Sequence, residues 1–178
     1  MKTKGQIWVS AVLYIALGMI VITMILSVGV PLVNKMRDRN TIAQTKRVMF
    51  DIDDNIKAVV NEAKGSARFL SPVDINAGKL IINEEEDKIE WNLVTKNKMI
   101  ENDTEFTEGD LYLSLKETGI AEEYNIQLYL DYSEQNVNLS LEGDYQNPFQ
   151  GRFSFSIKNS GTTTCNGAEC PGISIMVT

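Results

Sequence analysis

The stretch from Ile7 to Val33, IWVSAVLYIALGMIVITMILSVGVPLV, decides the architecture of this chain. It contains no charged residue, and 21 of its 27 positions are hydrophobic. As an α-helix at about 1.5 Å per residue it would be roughly 40 Å long, more than the ~30 Å hydrocarbon core of a bilayer. A secretory signal needs only about 7–15 apolar residues. We therefore expect a retained transmembrane helix rather than a discarded signal.

Charge is distributed unevenly around this segment. Residues 1–40 have a formal charge of +4, and because the whole chain carries −7, the remaining residues sum to −11. Such an acidic remainder argues against nucleic acid as a partner, since phosphates are bound by clustered lysine and arginine. The chain has no histidine, which removes Ser-His-Asp catalysis and histidine-ligated zinc sites. No second run approaches membrane length, so a polytopic transporter is also excluded.

After the apolar segment the pattern is that of an amphipathic helix. Apolar or small side chains recur every three or four residues, at Thr45, Met49, Ile52, Ile56, Val59 and Ala63. Gly65 is placed to end this helix. We therefore expect residues 34–65 to form a stem whose stripe packs on its own head domain, with packing against neighbouring subunits as the alternative.

Two acidic stretches resemble cation sites without meeting their requirements. Asp51, Asp53 and Asn55 have the spacing of calcium ligands, but the position that needs a turn-forming glycine is Ile56. Residues 84–87, Glu-Glu-Glu-Asp, are typical of a solvated turn. We expect no metal and no cofactor.

From about residue 66 the hydrophobic period changes from 3.6 to 2. Apolar residues alternate with polar ones around Ile89–Leu93, Leu111–Leu115, Ile126–Tyr132, Val137–Leu141, Phe153–Ile157 and Ile173–Val177. Strict alternation predicts strands with one buried and one wet face, hence an antiparallel sheet or a small sandwich. Ser133–Gln135 is expected to be a tight hairpin between two strands. The predicted fold class is α+β, with a long helix followed by a β-rich head at residues 66–178.

The two cysteines flank a turn sequence. Cys165 and Cys170 enclose Asn-Gly-Ala-Glu, and Asn-Gly is a strong hairpin signal. We expect a disulfide that closes the hairpin between the last two strands, which implies an oxidising compartment. Two reduced cytosolic thiols are the alternative.

Asn102 and Asn138 begin N-glycosylation sequons. The alternation places Asn138 on a wet strand face, and Asn102 lies in a polar loop. Lysines and arginines flank the apolar segment on both sides, so charge alone does not set its orientation. The cysteine pair and the sequons together predict an extracytoplasmic head.

The residues ahead of the apolar segment, Met1-Lys2-Thr3-Lys4-Gly5-Gln6, resemble the class III signal of type IV prepilins, and archaeal pilins and archaellins most closely. That resemblance implies a leader at residues 1–5, cleavage between Gly5 and Gln6 by a prepilin peptidase, and a retained helix at residues 6–33. It further implies an assembly ATPase with its membrane platform and self-assembly into a homo-oligomeric surface filament for adhesion or motility. One departure is Ser10, where bacterial pilins usually carry a glutamate, which favours an archaeal type.

Two other classes of function stay open. The first is a single-pass membrane protein whose extracellular β head binds a ligand or partner and never polymerises. The second is an ectoenzyme on a membrane stalk, but the sequence contains no nucleophile–base pair or phosphate-binding glycine loop. We therefore expect no enzyme and assign no catalytic residue.

Overall fold

The computed structural model describes residues 4–99, 104–143, 147–165 and 167–178, with side chains from residue 8 onward. The chain divides into two compact units, Met1–Arg39 and Asn40–Thr178. One helix, α1 (Lys4–Val60), contributes residues to both. The strands all lie in the second unit, so the predicted α+β class, a helix followed by a sheet, is confirmed.

In the second unit, the described ranges form one sheet of eight strands. These are β1 (Ala67–Asn83), β2 (Lys88–Thr95), β3 (Glu105–Glu108), β4 (Leu111–Glu117), β5 (Tyr124–Asp131), β6 (Asn138–Glu142), β7 (Phe149–Cys165) and β8 (Ala168–Val177). Their order across the sheet is β3-β4-β5-β2-β1-β7-β8-β6. The pairs are antiparallel except β6 with β8, which is parallel. The head is therefore a single mixed, mostly antiparallel sheet.

The core lies between one face of the sheet and one stripe of the helix. The predicted stripe is confirmed at its five helical positions, because Thr45, Met49, Ile52, Ile56 and Val59 are all buried. They share this core with the inward-facing strand residues, such as Trp91, Leu128, Phe155 and Ile175. The stripe thus packs on its own head, as expected.

The helix ends earlier than its apolar period indicated. It stops at Val60, and Ala63 is exposed beyond its end. The side-chain amide of Asn159 in β7, itself buried, donates to the backbone carbonyls of Val59 and Glu62, both at 3.1 Å. Helix-terminal carbonyls lack intrahelical donors, so this asparagine caps the helix and joins it to the sheet.

A buried polar network lies on the same helix. Tyr132, fully buried, donates its hydroxyl hydrogen to Asp53 Oδ1 at 3.1 Å. Lys57 contacts Asp53 at 2.6 Å and also pairs with Asp110. Burial lowers the Lys57 pKa, but the hydrogen bonds to Asp110 and Asp53 outweigh it and raise the pKa above 10.5. Asp53, which mimicked a calcium ligand in the sequence, therefore serves as a structural acceptor.

The predicted hairpin at Ser133–Gln135 is wrong. These residues do form a turn, but β5 before it pairs with β2 and β4. Because both edges of β5 are occupied, the next strand β6 pairs with β8 at the opposite end of the strand order. A local turn signal shows that the chain bends, and it does not identify the strand that becomes the partner.

The last two strands form the expected hairpin. β7 and β8 are antiparallel, with Phe155 opposite Val177 and Cys165 opposite Ala168. Cys165 and Cys170 are joined by a disulfide, with their Cα atoms 5.7 Å apart. The bridge sits at the turn end of the hairpin, as the cysteine spacing indicated.

Replacing Tyr132 with phenylalanine tests the buried network. The change removes one donor from a buried carboxylate, so we expect Tyr132→Phe to lower the free energy of unfolding by about 1–3 kcal/mol. The measurement is denaturant unfolding of the full chain in detergent. Unfolding is monitored by the fluorescence of Trp91, in a variant that also carries Trp8→Phe. The control Tyr124→Phe, in strand β5, should change it by less than about 0.5 kcal/mol. Equal midpoints for the two variants would contradict the assignment.

Candidate functional site

The described side chains of the first unit expose a largely apolar surface. From Trp8 to Met36 its large hydrophobic side chains are about half exposed or more, for example Trp8 at 75% and Val28 at 70%. A window of the helix is long and apolar enough to cross a membrane, and none of that window is buried within the structure. This segment is compatible with a single-pass membrane anchor.

Two hydroxyl groups within this surface bond to their own helix. Thr23 Oγ1 donates to the carbonyl of Met19, and Ser27 Oγ donates to the carbonyl of Met24 at 2.8 Å. Such bonds let serine and threonine enter an apolar medium without an unsatisfied donor. The helix is also open beside its glycines, since a Cβ added at Gly18 or Gly29 would meet no atom within 4 Å.

In the second unit, a polar cavity of about 430 Å³ lies on the outer face of the sheet. The strand register brings its floor together, because Ser114 of β4 lies opposite Gln127 of β5, and Tyr112 lies opposite Tyr129. Glu90 of β2 is in turn the partner of Tyr129. Side chains two residues apart share a face, so these groups lie on the face opposite the core.

Hydrogen bonds fix the floor of this cavity. Gln127 Nε2 donates to Glu90 Oε2 at 3.2 Å, and the Tyr129 hydroxyl donates to Glu105 at the sheet edge. The rings of Tyr112 and Tyr129 stack with centroids 4.8 Å apart. Burial and the bond to Glu105 raise the Tyr129 pKa above its ordinary value of 10.0. The phenol is therefore neutral at physiological pH and acts as a donor.

The acidic turn at residues 84–87 is a turn, as expected, but it also has a structural role. The backbone N–H of Leu139 donates to Asp87 Oδ1 at 2.8 Å, and the N–H of Leu141 donates to Glu84. Both donors belong to β6, which ends the strand order. An unpaired strand edge is a template for aggregation, and these carboxylates occupy two of its donors.

Of the predicted site residues, the structure joins Cys165 to Cys170 in a disulfide. Gly5 and Gln6 lie in the first turns of α1, and their side chains fall outside the described part. Asn102 also lies outside the described residues. Asn138, in β6, is half-buried and donates to Asp87 Oδ1 at 3.4 Å. The use of Asn138 as a glycosylation site stays a prediction.

Within the described ranges, no group of three or more cysteine, aspartate or glutamate side chains is arranged to hold a metal ion. Asp51, Asp53 and Asn55 all lie in regular helix. Their side chains therefore do not converge as they would in a calcium-binding loop.

No protein-family model, curated protein or solved structure matches this chain. The resemblance of its first residues to class III signals accordingly stays a prediction. The processing site it implies, between Gly5 and Gln6, also stays a prediction.

Sequence reasoning missed the polar cavity. The alternation in β2, β4 and β5 indicates the positions that face the core, whereas the cavity is built from the intervening ones, including Glu90, Ser114, Gln127 and Tyr129. The sequence signal that could have indicated the cavity is the composition of these outward-facing positions, which include tyrosine and amide side chains. The register that aligns them depends on β5 lying between β2 and β4, which no local pattern encodes.

The strand-edge role of Asp87 is testable with two substitutions. Asp87 has a φ of +52°, which glycine and asparagine tolerate. Asp87→Gly removes the acceptor for Leu139, so we expect the free energy of unfolding to fall by about 1–2 kcal/mol. Asp87→Asn keeps an acceptor oxygen and should stay near wild type. Glu85→Ala, in the same turn, is the control, and a loss for Glu85→Ala as large as that for Asp87→Gly would contradict this role.

Asp131 should make stability depend on acid pH. Burial raises the pKa of its carboxyl, but hydrogen bonds from Ser133 and the charge of Lys88, 3.4 Å away, outweigh burial and lower the pKa below 3.8. Its stabilising effect is therefore present above that ordinary value and is lost as pH falls through the folded-state pKa.

The measurement compares unfolding of wild type and Asp131→Asn across this window. The difference in unfolding free energy should be largest near about pH 6 and should shrink towards about pH 2. Glu134→Gln removes an exposed carboxylate from the adjoining turn and controls for net charge. If the difference in unfolding free energy between wild type and Asp131→Asn stayed the same at every pH, ionisation of the Asp131 carboxyl would not be its cause.

Proposed function

We propose that this protein is a type IV pilin-like structural subunit of archaeal type, anchored in the membrane before assembly and built through its apolar helix into a surface filament. The observation that carries the proposal is the uncovered apolar surface from Trp8 to Met36. The second unit has its own core, formed by Met49–Val59 and the sheet. The apolar surface of the first unit therefore needs a cover from outside the chain.

The free energy gained by burying apolar side chains supports the inference that this surface is covered. Fully burying one large aliphatic side chain is worth about 1.5–3 kcal/mol, and this surface contains many, for example Leu13, Ile20 and Ile25. A bilayer supplies the cover for a single subunit. Once a subunit leaves the bilayer, identical helices around it supply an equally apolar environment.

The open sides of Gly18 and Gly29 support close packing with neighbouring helices. Small residues let helix backbones approach each other, and a Cβ added at either glycine would meet no described atom within 4 Å outside the adjacent helical backbone. Thr23 and Ser27 bond to their own helix, so neither hydroxyl requires a partner from a neighbour. The helix is thus suited to both lipid and helix contacts.

The remaining parts of the proposal follow from the leader and the head. Lys2, Lys4 and Gly5 resemble a class III signal, so a prepilin peptidase would cut before Gln6. An assembly ATPase and its membrane platform would then drive polymerisation. The Cys165–Cys170 disulfide supports an extracytoplasmic head. The role proposed is structural and not enzymatic.

The mature N-terminus tests processing. Intact mass and N-terminal sequencing of protein from cells with a prepilin peptidase should give a chain beginning at Gln6, with or without cyclisation of the glutamine. Gly5→Leu should abolish this cut because the larger side chain blocks the scissile bond. Thr3→Val is the control and should be processed. A mature chain that retains Met1 or Lys2, or unchanged processing of Gly5→Leu, would overturn the pilin assignment.

Shearing of cells tests assembly. Surface filaments released by shearing should contain the head epitope and should be absent for Gly5→Leu. Recovery of all the protein as detergent-soluble membrane monomers would favour the alternative, a permanently anchored head that binds a ligand without polymerising.

A further inference from the structure

The polar cavity on the outer face of the sheet has features of a built binding site. Its floor comes from three neighbouring strands, and Lys116, whose side chain is exposed, also lines it. Its volume of about 430 Å³ lies within the range of small-molecule sites, roughly 300–1,000 Å³. All its lining residues belong to the second unit.

Ser114 is a largely buried polar residue in the floor of the cavity. It is only 8% exposed, and its Oγ, which is itself buried, has no hydrogen-bond partner among the described residues. Leaving a buried hydroxyl unsatisfied costs about 1–3 kcal/mol. The side chains around it form hydrogen bonds of their own, as Gln127 does to Glu90 at 3.2 Å.

The mixture of hydrogen-bonding groups in the cavity favours one class of ligand. Carboxylates of Glu90 and Glu105 accept hydrogen bonds, whereas Lys116 and the Gln127 amide donate them. A hydroxyl group both donates and accepts hydrogen bonds, so a ligand with several hydroxyl groups matches this mixture of donors and acceptors. An anion would face three carboxylates, because Glu86 also lines the cavity, against the two lysines Lys88 and Lys116. An apolar ligand would leave the polar floor without partners.

The aromatic pair adds a surface for a sugar ring. Tyr129 lines the cavity and stacks on Tyr112 with an angle of 8° between the ring planes. Tyrosine combines an apolar ring with a polar hydroxyl, and the C–H face of a pyranose packs on such a ring while its hydroxyls reach polar neighbours.

We propose that the cavity lined by Glu90, Glu105, Ser114, Lys116, Gln127 and Tyr129 binds a neutral glycan segment. Gln127 and the two glutamates bond to its hydroxyls, and Tyr129 packs against one sugar ring. This inference concerns the head alone and does not depend on polymerisation, so the glycan is bound by a single anchored chain as well as by a filament.

Fluorine NMR of the full chain, labelled with 3-fluorotyrosine, tests this site. The protein is kept in a detergent without a sugar headgroup, because a glycoside detergent would compete. Chitotriose, cellotriose and mannotriose are the probes, each at up to about 10 mM, a range that detects weak affinities. We expect at least one of them to shift the Tyr129 resonance, assigned with Tyr129→Phe, and to leave that of the core residue Tyr132 unchanged.

Variants separate this cavity from other surfaces. Gln127→Ala should weaken binding by at least about tenfold, and Lys116→Ala, at an exposed position, serves as a second variant if Gln127→Ala does not fold. Lys79→Ala, an exposed residue on the neighbouring strand β1, is the control and should bind as wild type.

Three results would overturn the proposal. These are no binding of any of the three trisaccharides, binding that is insensitive to both Gln127→Ala and Lys116→Ala, and tighter binding of the anionic trigalacturonate than of the neutral sugars. Because none of these readouts involves filaments or leader cleavage, their failure is distinguishable from failure of the pilin assignment.

Discussion

The burial of one helix stripe against one face of the sheet organises the second unit. Met49, Ile52, Ile56 and Val59 are fully or almost fully buried there, and each such side chain contributes about 1.5–3 kcal/mol. Asn159 holds the end of the helix, because its amide donates to the carbonyl of Val59 in the last helical turn and to that of Glu62 just beyond the helix. With the helix held in this way, the opposite face of the sheet is left to solvent and can carry a binding site.

Much of this architecture is present in local sequence patterns, and the parts that are not have two physical causes. The alternation around Ile89, Leu128 and Phe155 identifies strands because their burial has a period of two. Strand β1 contains Pro72 and Gly78, which interrupt that period, so it was not predicted. The partner of β6 was predicted wrongly because strand pairing is decided by which edges remain free, and that is a property of the assembled sheet.

The candidate sites also differ in whether local sequence patterns predict them. The apolar segment was predicted from composition alone, since its length and lack of charge need no tertiary information. The polar cavity was not, because Ser114, Gln127 and Glu90 come from three strands whose register is set by the sheet. Acidic residues 84–87 were correctly placed in a turn, whereas the bonds from Asp87 and Glu84 to β6 depend on two elements distant in sequence.

The position of β8 in the sheet has a consequence for folding. β8 lies between β7 and β6, so β6 obtains its parallel partner only after Gly172–Val177 has been synthesised. During synthesis from the N-terminus, β6 therefore stays without that partner after strands β1 to β5 have all been made. The eight-stranded sheet can be completed only once β8 is present, so the insertion of β8 is a late step in its formation.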